Sequence, residues 1–170
     1  YMTYVITALA AYLLGTSNMA YYLAKWKRAD LRSSGSGNLG ASNATVLLGW
    51  RAGVLVAVHD IGKSALAVFL AQILFPEMPF IGAVAGVASV LGHIFPFYLK
   101  FKGGKGILSG WFVAWAIDWR IGLILLAIFG LVYGLTKYVS LASVLGALAF
   151  GIGFVLLHHH NTLVMLGGIF

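Results

Sequence analysis

The sequence predicts an all-α, polytopic transmembrane helix bundle of about six complete spans and the start of a seventh. Three observations predict it. Of 170 residues, 61% are hydrophobic and only 9% charged, against about 25% charged in a soluble domain. Mean hydropathy is +0.97. The apolar residues form long runs without alternation, which excludes a β-barrel and leaves helices as the only way to satisfy the backbone in lipid. The residues 1–170 read as one transmembrane domain, truncated at the C-terminus. Cysteine is absent, which removes disulfides, thiol catalysis and Cys-ligated metals. The net charge of +7 fits orientation in a membrane and an anionic lipid surface or substrate better than nucleic acid.

Residues 1–24 are the first apolar run, long enough to span at roughly 20 residues per crossing. No basic segment precedes it and no small-residue cleavage pattern closes it, so it is not a signal peptide. Gly15-Thr16-Ser17-Asn18 interrupts it with small groups that let helices approach closely. Lys25 to Trp50 is the first long polar segment, marked as cytoplasmic by Lys25, Lys27, Arg28 and Arg32. Its centre, residues 33–43, holds four serines, two asparagines and three glycines. A flexible linker has such a composition. The Gly-Asn-x-Gly-Ala-Ser-Asn spacing favours instead a loop that offers backbone N–H groups, hydroxyls and carboxamides to an anion or a polyol.

Residues 51–75 are the second span and carry His59, Asp60 and Lys63. An ionised side chain at mid-membrane costs about 2.5–3.5 kcal/mol on the insertion scale. Asp60 and Lys63, three apart, share a helix face and can neutralise each other. They are either a structural ion pair or part of a polar cavity beside the site. His59 reads as a packed or hydrogen-bonded helix residue.

Residues 80–99 are the third span, 107–117 a short fourth, 121–136 the fifth and 138–157 the sixth. Between the third and fourth lies Gly92-His93-Ile94-Phe95-Pro96-Phe97-Tyr98-Leu99-Lys100-Phe101-Lys102-Gly103-Gly104-Lys105-Gly106, with three lysines in its last seven residues. Bare glycine backbone, a helix N-terminus at Gly106 and lysine ammonium groups together suit a phosphate. Without a ligand, the same loop would be a topogenic basic segment. Placing the first polar loop inside also places Lys100 to Lys105 and Lys137 inside, with Glu77, Arg120 and the histidines outside, as the positive-inside rule expects. His158, His159 and His160 stand in one turn and converge poorly, so no metal site is expected.

Ser36-Gly37-Asn38-Leu39-Gly40-Ala41-Ser42-Asn43, with Gly92-His93-x-Phe95-Pro96 and Phe101-Lys102-Gly103-Gly104-Lys105-Gly106, resembles the bacterial acyl-phosphate:glycerol-3-phosphate acyltransferase family. Lys137-Tyr138-Val139-Ser140-Leu141-Ala142-Ser143 resembles a third stretch of it. The resemblance implies seven transmembrane helices in a bacterial inner (plasma) membrane, with the loops on the cytoplasmic face. It implies acyl phosphate as donor, glycerol 3-phosphate as acceptor, 1-acylglycerol 3-phosphate and phosphate as products, and no cofactor. Carried over residue by residue, it makes Lys102, Gly103, Gly104 and Lys105 a phosphate cradle. Ser36, Gly37, Asn38, Gly40, Ser42, Asn43, Ser140 and Ser143 become substrate-binding positions, and Asp60 and Lys63 supporting ones. His93 is either a general base or a loop-orienting hydrogen-bond donor, and a substrate phosphate could itself accept the proton. The alternative is a non-catalytic paralogue or small transporter binding a phosphorylated lipid or metabolite.

Two departures stand out. The family has Arg where this chain has Val46, and Arg51 lies more than a helical turn further on. The C-terminal motif, which resembles His-x-x-Asn-Ile-x-Arg-Leu, is imitated by His158-His159-His160-Asn161, but Val164 stands in place of its Arg. The expectation is that Thr162 to Phe170 begins a seventh helix and that the chain continues to supply this motif.

Overall fold

The computed structural model describes residues 1–139, 141–146, 148, 149, 152, 153 and 156. All regular structure among the described residues is helical: α1 (Met2–Thr16), α2 (Met19–Trp26), α3 (Ala41–Leu48), α4 (Trp50–Leu74), α5 (Ile81–Ile94), a 3₁₀ turn (Phe97–Leu99), α6 (Ile107–Ile117) and α7 (Trp119–Thr136). Among them Trp50–Leu74, Ile81–Leu99 and Trp119–Thr136 are long and apolar enough to cross a membrane, and Ile107–Ile117 is shorter. At 1.5 Å per residue, the 25 residues of α4 extend about 37 Å, more than the ~30 Å hydrocarbon core. The chain divides into two compact units, Tyr1–Val113 and Ala114–Phe170.

The first apolar run is not one helix. α1 stops at Thr16, and Asn18 adopts an extended conformation whose side chain accepts the Tyr21 N–H at 2.9 Å, capping α2. The signature Gly-Thr-Ser-Asn therefore ends one helix and starts another, as a strong N-cap residue after small polar ones should. A break inside an apolar segment leaves carbonyls that lipid cannot satisfy. Here other side chains satisfy them. Tyr98 Oη donates to Thr16 O at 2.8 Å, and Lys63 Nζ donates to Ser17 O at 2.6 Å.

The first polar segment also contains structure that the sequence reading lacked, the two-turn helix α3. Leu31 and Leu39, nearly fully buried, pin the segment to Ala20, Leu23, Ala24, Ala52, Val56 and Leu99. α5 ends at Ile94 because Phe95 precedes Pro96 and is pushed to φ −121°, ψ 58°. After the 3₁₀ turn, Lys100 and Phe101 are both left-handed (φ 55° and 58°), a conformation costing about 1–3 kcal/mol per non-glycine residue. Phe101 N–H to Pro96 O (3.1 Å) and Lys102 N–H to Leu99 O (3.2 Å) hold them there.

Packing in the first unit follows membrane rules. The buried apolar residues between α1, α4 and α5 are small, Ala11, Ala67, Ala71, Ala85 and Ala88 with Ile81, while Val5, Ile6, Leu9, Leu13, Phe69 and Ile73 point outward. Lipid solvates large apolar side chains as well as protein does, so close backbone approach rather than hydrophobic transfer holds such helices together. The closest approach is between α1 and α5. A Cβ at Gly15 would overlap the Ser89 carbonyl, and one at Gly92 the Tyr12 carbonyl. The small residues of the first break thus serve both close packing and the interruption of the helix.

In the second unit, Asp118 caps α7 by accepting Arg120 N–H at 2.9 Å, and its carboxylate pairs with the Arg120 guanidinium at 2.7 Å. The fifth span, expected from residue 121, thus begins earlier: Asp118 is a single cap residue, with Trp119 and Arg120 already helical.

This packing predicts opposite outcomes for two Gly→Ala changes. Gly15→Ala should destabilise the detergent-solubilised protein by about 1–3 kcal/mol, because the methyl group meets α5 backbone. Gly62→Ala, where nothing lies within 4 Å, should be neutral or stabilise by about 0.5–1 kcal/mol through helix propensity. Thermal unfolding of the two variants side by side checks this.

Candidate active site

The site grows out of two loops and one buried cluster, all within the first unit. The first loop leaves α2 through a turn in which Asp30 Oδ1 accepts the N–H groups of Arg32 (2.8 Å) and Ser33 (3.2 Å). Hydrogen bonds from the Ser33 hydroxyl and these two backbone groups hold the Asp30 carboxyl below the usual carboxylate range. Gly35 and Gly37 then take left-handed backbone (φ 62° and 67°) around a turn closed by Gly37 N–H donating to Ser34 O at 3.2 Å.

Asn43, 3% exposed, organises this loop from inside α3. Its Oδ1 accepts Ser36 N–H at 3.0 Å, and its Nδ2 donates to Leu31 O at 2.8 Å and Ser34 O at 3.3 Å. The carboxamide is thus engaged within the protein rather than presented outward. Asn38 is half-buried, with its amide close to Gly40, and Ser36 and Ser42 are exposed. Gly40 begins α3 with no side-chain cap, so the helix N-terminus carries its partial positive charge beside the serines.

The second loop folds back onto the end of α5. Gly103 N–H donates to Ile94 O at 2.9 Å and Gly104 N–H to His93 O at 3.1 Å, which satisfies carbonyls that the helix end leaves open. Both glycines are required by space. A Cβ at Gly103 would overlap His93 O, and one at Gly104 would overlap the His93 imidazole at Nε2. Gly106 (φ 72°) precedes α6, and its carbonyl accepts Gly110 N–H at 2.7 Å. The basic loop therefore does run into a helix N-terminus. Lys102 and Lys105 are exposed on it.

Arg32 joins the two loops. Its Nη2 donates to Leu99 O at 3.2 Å and to Lys102 O at 2.8 Å, across the left-handed pair Lys100–Phe101. The sequence offered Arg32 only as a topogenic charge, and nothing in its local pattern marks this role.

Beneath the second loop lies a buried polar cluster. Asp60 Oδ1 sits 3.3 Å from Lys63 Nζ, 3.4 Å from His93 Nδ1 and 3.5 Å from His59 Nδ1. Lys63 Nζ also lies 2.8 Å from His93 Nδ1, and His59 Nε2 is 3.0 Å from Ser17 Oγ. Ser109, at the start of α6, donates to Asp60 O at 2.9 Å. Lys63, Asp60 and His93 have side chains no more than 5% exposed. Removing one member of such a buried pair typically costs about 3–5 kcal/mol, because the other charge is left uncompensated. The two readings of Asp60 and Lys63 converge, since the ion pair is structural and also touches the histidine of the second loop. The expected face-sharing at three-residue spacing is observed, and His59 is hydrogen-bonded as expected.

Other predicted positions lie elsewhere or outside the described residues. Ser143 Oγ donates to Val139 O at 2.6 Å in the second unit. Ser140 and residues 158–161 lie outside the described residues. Val46 is exposed on α3, and the Arg51 guanidinium lies 5.5 Å from the Trp50 ring centroid.

Apolar helices packed through alanine and glycine, with two glycine-rich loops joined by Arg32, define a polytopic helical membrane protein. The chain belongs to the glycerol-3-phosphate acyltransferase family, whose model matches residues 5–170. It is 45% identical over 148 residues to the glycerol-3-phosphate acyltransferase of Thermoanaerobacter pseudethanolicus, covering 86% of this chain and 73% of that one. It is 38% identical over 173 residues to the Staphylococcus carnosus glycerol-3-phosphate acyltransferase, covering 96% and 85%. Among solved structures it resembles PlsY, an integral membrane glycerol 3-phosphate acyltransferase. The glycerol 3-phosphate form superposes with TM-score 0.81 at 30% identity, covering 97% of this chain and 92% of the other, and the lysophosphatidic acid form with TM-score 0.78 at 29% identity over the same shares.

The Arg32 bridge predicts that Arg32→Ala frees the second loop. Each charge-assisted bond contributes about 1.5–3 kcal/mol. Hydrogen exchange at the amides of residues 100–104 should accelerate by at least about 10-fold, while amides in the middle of α4 keep their protection.

Proposed function

We propose that this protein is a membrane acyltransferase that moves a fatty acyl group from acyl phosphate to glycerol 3-phosphate, releasing lysophosphatidate and phosphate as the first step of phospholipid synthesis. The single observation that carries the reading is the junction of the two family loops, with Arg32 spanning from the serine- and glycine-rich loop to the carbonyl of Lys102. Family membership and the likeness to a structure holding glycerol 3-phosphate support it.

In this reading both substrates are recognised by their phosphates, and catalysis is positioning and charge stabilisation. The donor is held in the bilayer by its acyl chain. Lys102 and Lys105 contact phosphate, and Gly103 and Gly104, whose N–H groups close the end of α5, leave the room for it to approach. Ser36, Gly37, Asn38, Gly40 and Ser42 face the acceptor, and Ser140 and Ser143 are substrate-binding positions by resemblance alone. Asn43 shapes that loop rather than touching the acceptor, because its polar atoms are already engaged. His93 sits beside the phosphate cradle. The acceptor hydroxyl attacks the acyl carbonyl carbon, the bond to the phosphate oxygen breaks, and phosphate leaves carrying the hydroxyl proton. An acyl phosphate is already activated, so no covalent enzyme intermediate is needed. The protein sits in a bacterial inner membrane with these loops on the cytoplasmic face, as its Lys and Arg distribution favours.

Two experiments test this. Release of inorganic phosphate from acyl phosphate should depend on glycerol 3-phosphate, and acyl-coenzyme A should not replace acyl phosphate. Equal turnover with acyl-coenzyme A under matched conditions would sink the donor assignment. In the second experiment, Lys105→Ala should lower activity by at least about 10-fold, as loss of a charged contact of about 1.5–3 kcal/mol implies. Unchanged kinetics would reduce the loop to a topogenic signal.

A further inference from the structure

The buried lysine decides which nitrogen of His93 carries a proton. A lysine ammonium has three N–H donors and no acceptor. Lys63 Nζ faces Ser17 O at 2.6 Å, His93 Nδ1 at 2.8 Å and Asp60 Oδ1 at 3.3 Å. A peptide oxygen and a carboxylate can only accept. A 2.8 Å contact between two nitrogens needs one donor and one acceptor, and the ammonium can only donate. Nδ1 is then unprotonated, and a neutral imidazole must hold its proton on Nε2.

Asp60 pulls the other way. Its Oδ1 lies 3.4 Å from the same Nδ1, and without the lysine it would draw a proton there. The two charged neighbours of Nδ1 therefore favour opposite states of the ring, and the shorter contact belongs to Lys63. The remaining polar groups of the cluster do not reverse this. His59 reaches Asp60 and Ser17 Oγ, Ser109 donates to the Asp60 carbonyl, and Tyr22 and Tyr98 meet Ser17 Oγ and Thr16 O. The ring cannot turn away, because it is 3% exposed and its Nε2 edge points at Gly104, where only the absence of a side chain leaves it room.

We propose that Lys63 is a positioning residue that locks His93 as the Nε2–H tautomer, so that His93 presents a hydrogen-bond donor beside the Gly103–Gly104–Lys105 loop and cannot take the acceptor's proton. The ligand such a donor addresses is an oxyanion, either a phosphate oxygen or the carbonyl oxygen that gains charge during transfer. This deepens the acyltransferase reading and rests on it for its kinetic arm, whereas the tautomer itself does not.

The test has two arms. The whole chain, carrying ¹⁵N-labelled histidine, is placed in lipid nanodiscs near neutral pH, and the His93 ring signals are assigned by their loss in His93→Gln. The expected result is an unprotonated Nδ1 and a protonated Nε2, with the proton moving to Nδ1 in Lys63→Met. A protonated Nδ1 in the unsubstituted protein overturns the proposal whether or not the protein is active. In the kinetic arm, the amide N–H of glutamine can stand where Nε2–H stands but cannot act as a base. His93→Gln should keep at least about a tenth of kcat, while His93→Leu should fall by about 100-fold. His93→Gln as inactive as His93→Leu, in protein that remains folded, overturns the donor role. Absence of any turnover dependent on glycerol 3-phosphate in the unsubstituted protein would remove the acyltransferase reading and leave the tautomer measurement to decide the inference.

Discussion

The arrangement around Lys63 is the constraint on which the site region depends. One ammonium group reaches the carbonyl exposed where the first apolar segment breaks, the carboxylate one turn earlier on its own helix, and the imidazole at the end of α5. These partners come from three separate stretches of chain. All three side chains, Lys63, Asp60 and His93, are buried, so losing any partner would leave a polar group unpaired in a low-dielectric interior. The break between α1 and α2, the placement of α4 and the seat of His93 are therefore fixed by the same side chain.

From that anchor the loops can be followed outward. His93 supports the backbone of Gly104, and the carbonyls at the end of α5 accept from Gly103 and Gly104. Arg32 then takes hold of the carbonyls of Leu99 and Lys102 and ties the second loop to the first, which Asn43 shapes from inside. Glycine has distinct uses along this path. Gly35, Gly37 and Gly106 supply left-handed backbone, whereas Gly15, Gly92, Gly103 and Gly104 supply room for another chain to approach. In the second loop that room lets Gly103 and Gly104 donate to the carbonyls at the end of α5, because a side chain there would collide with His93.

Much of this was legible beforehand. The apolar runs located α4, α5, α6 and α7 closely, because in lipid a helix is the only solution for an unpaired backbone and its boundaries coincide with glycine, proline and charge. Both site loops were legible from composition and from family likeness. The break at Ser17–Asn18 was read as close packing alone, although an Asn after small polar residues is also an N-cap signal, and both uses are present. The helix α3 was missed because Ala41–Leu48 is only two turns long and begins among serine and asparagine. The same residues that suggest a loop also serve as the N-terminal turn of a helix.

By itself the sequence determined the membrane-spanning, all-helical class, the place of the two loops and the pairing of Asp60 with Lys63, because these follow from hydropathy, residue type and helical period. Only the tertiary structure decided that His93 joins that pair, that Arg32 bridges the loops, and that the amide of Asn43 faces inward. Those contacts link residues 12 to 70 positions apart, or engage backbone carbonyls that every residue carries. No local pattern encodes which distant carbonyl or ring a polar side chain will meet, since that is set by how closely the small residues of α1, α4 and α5 let their helices approach.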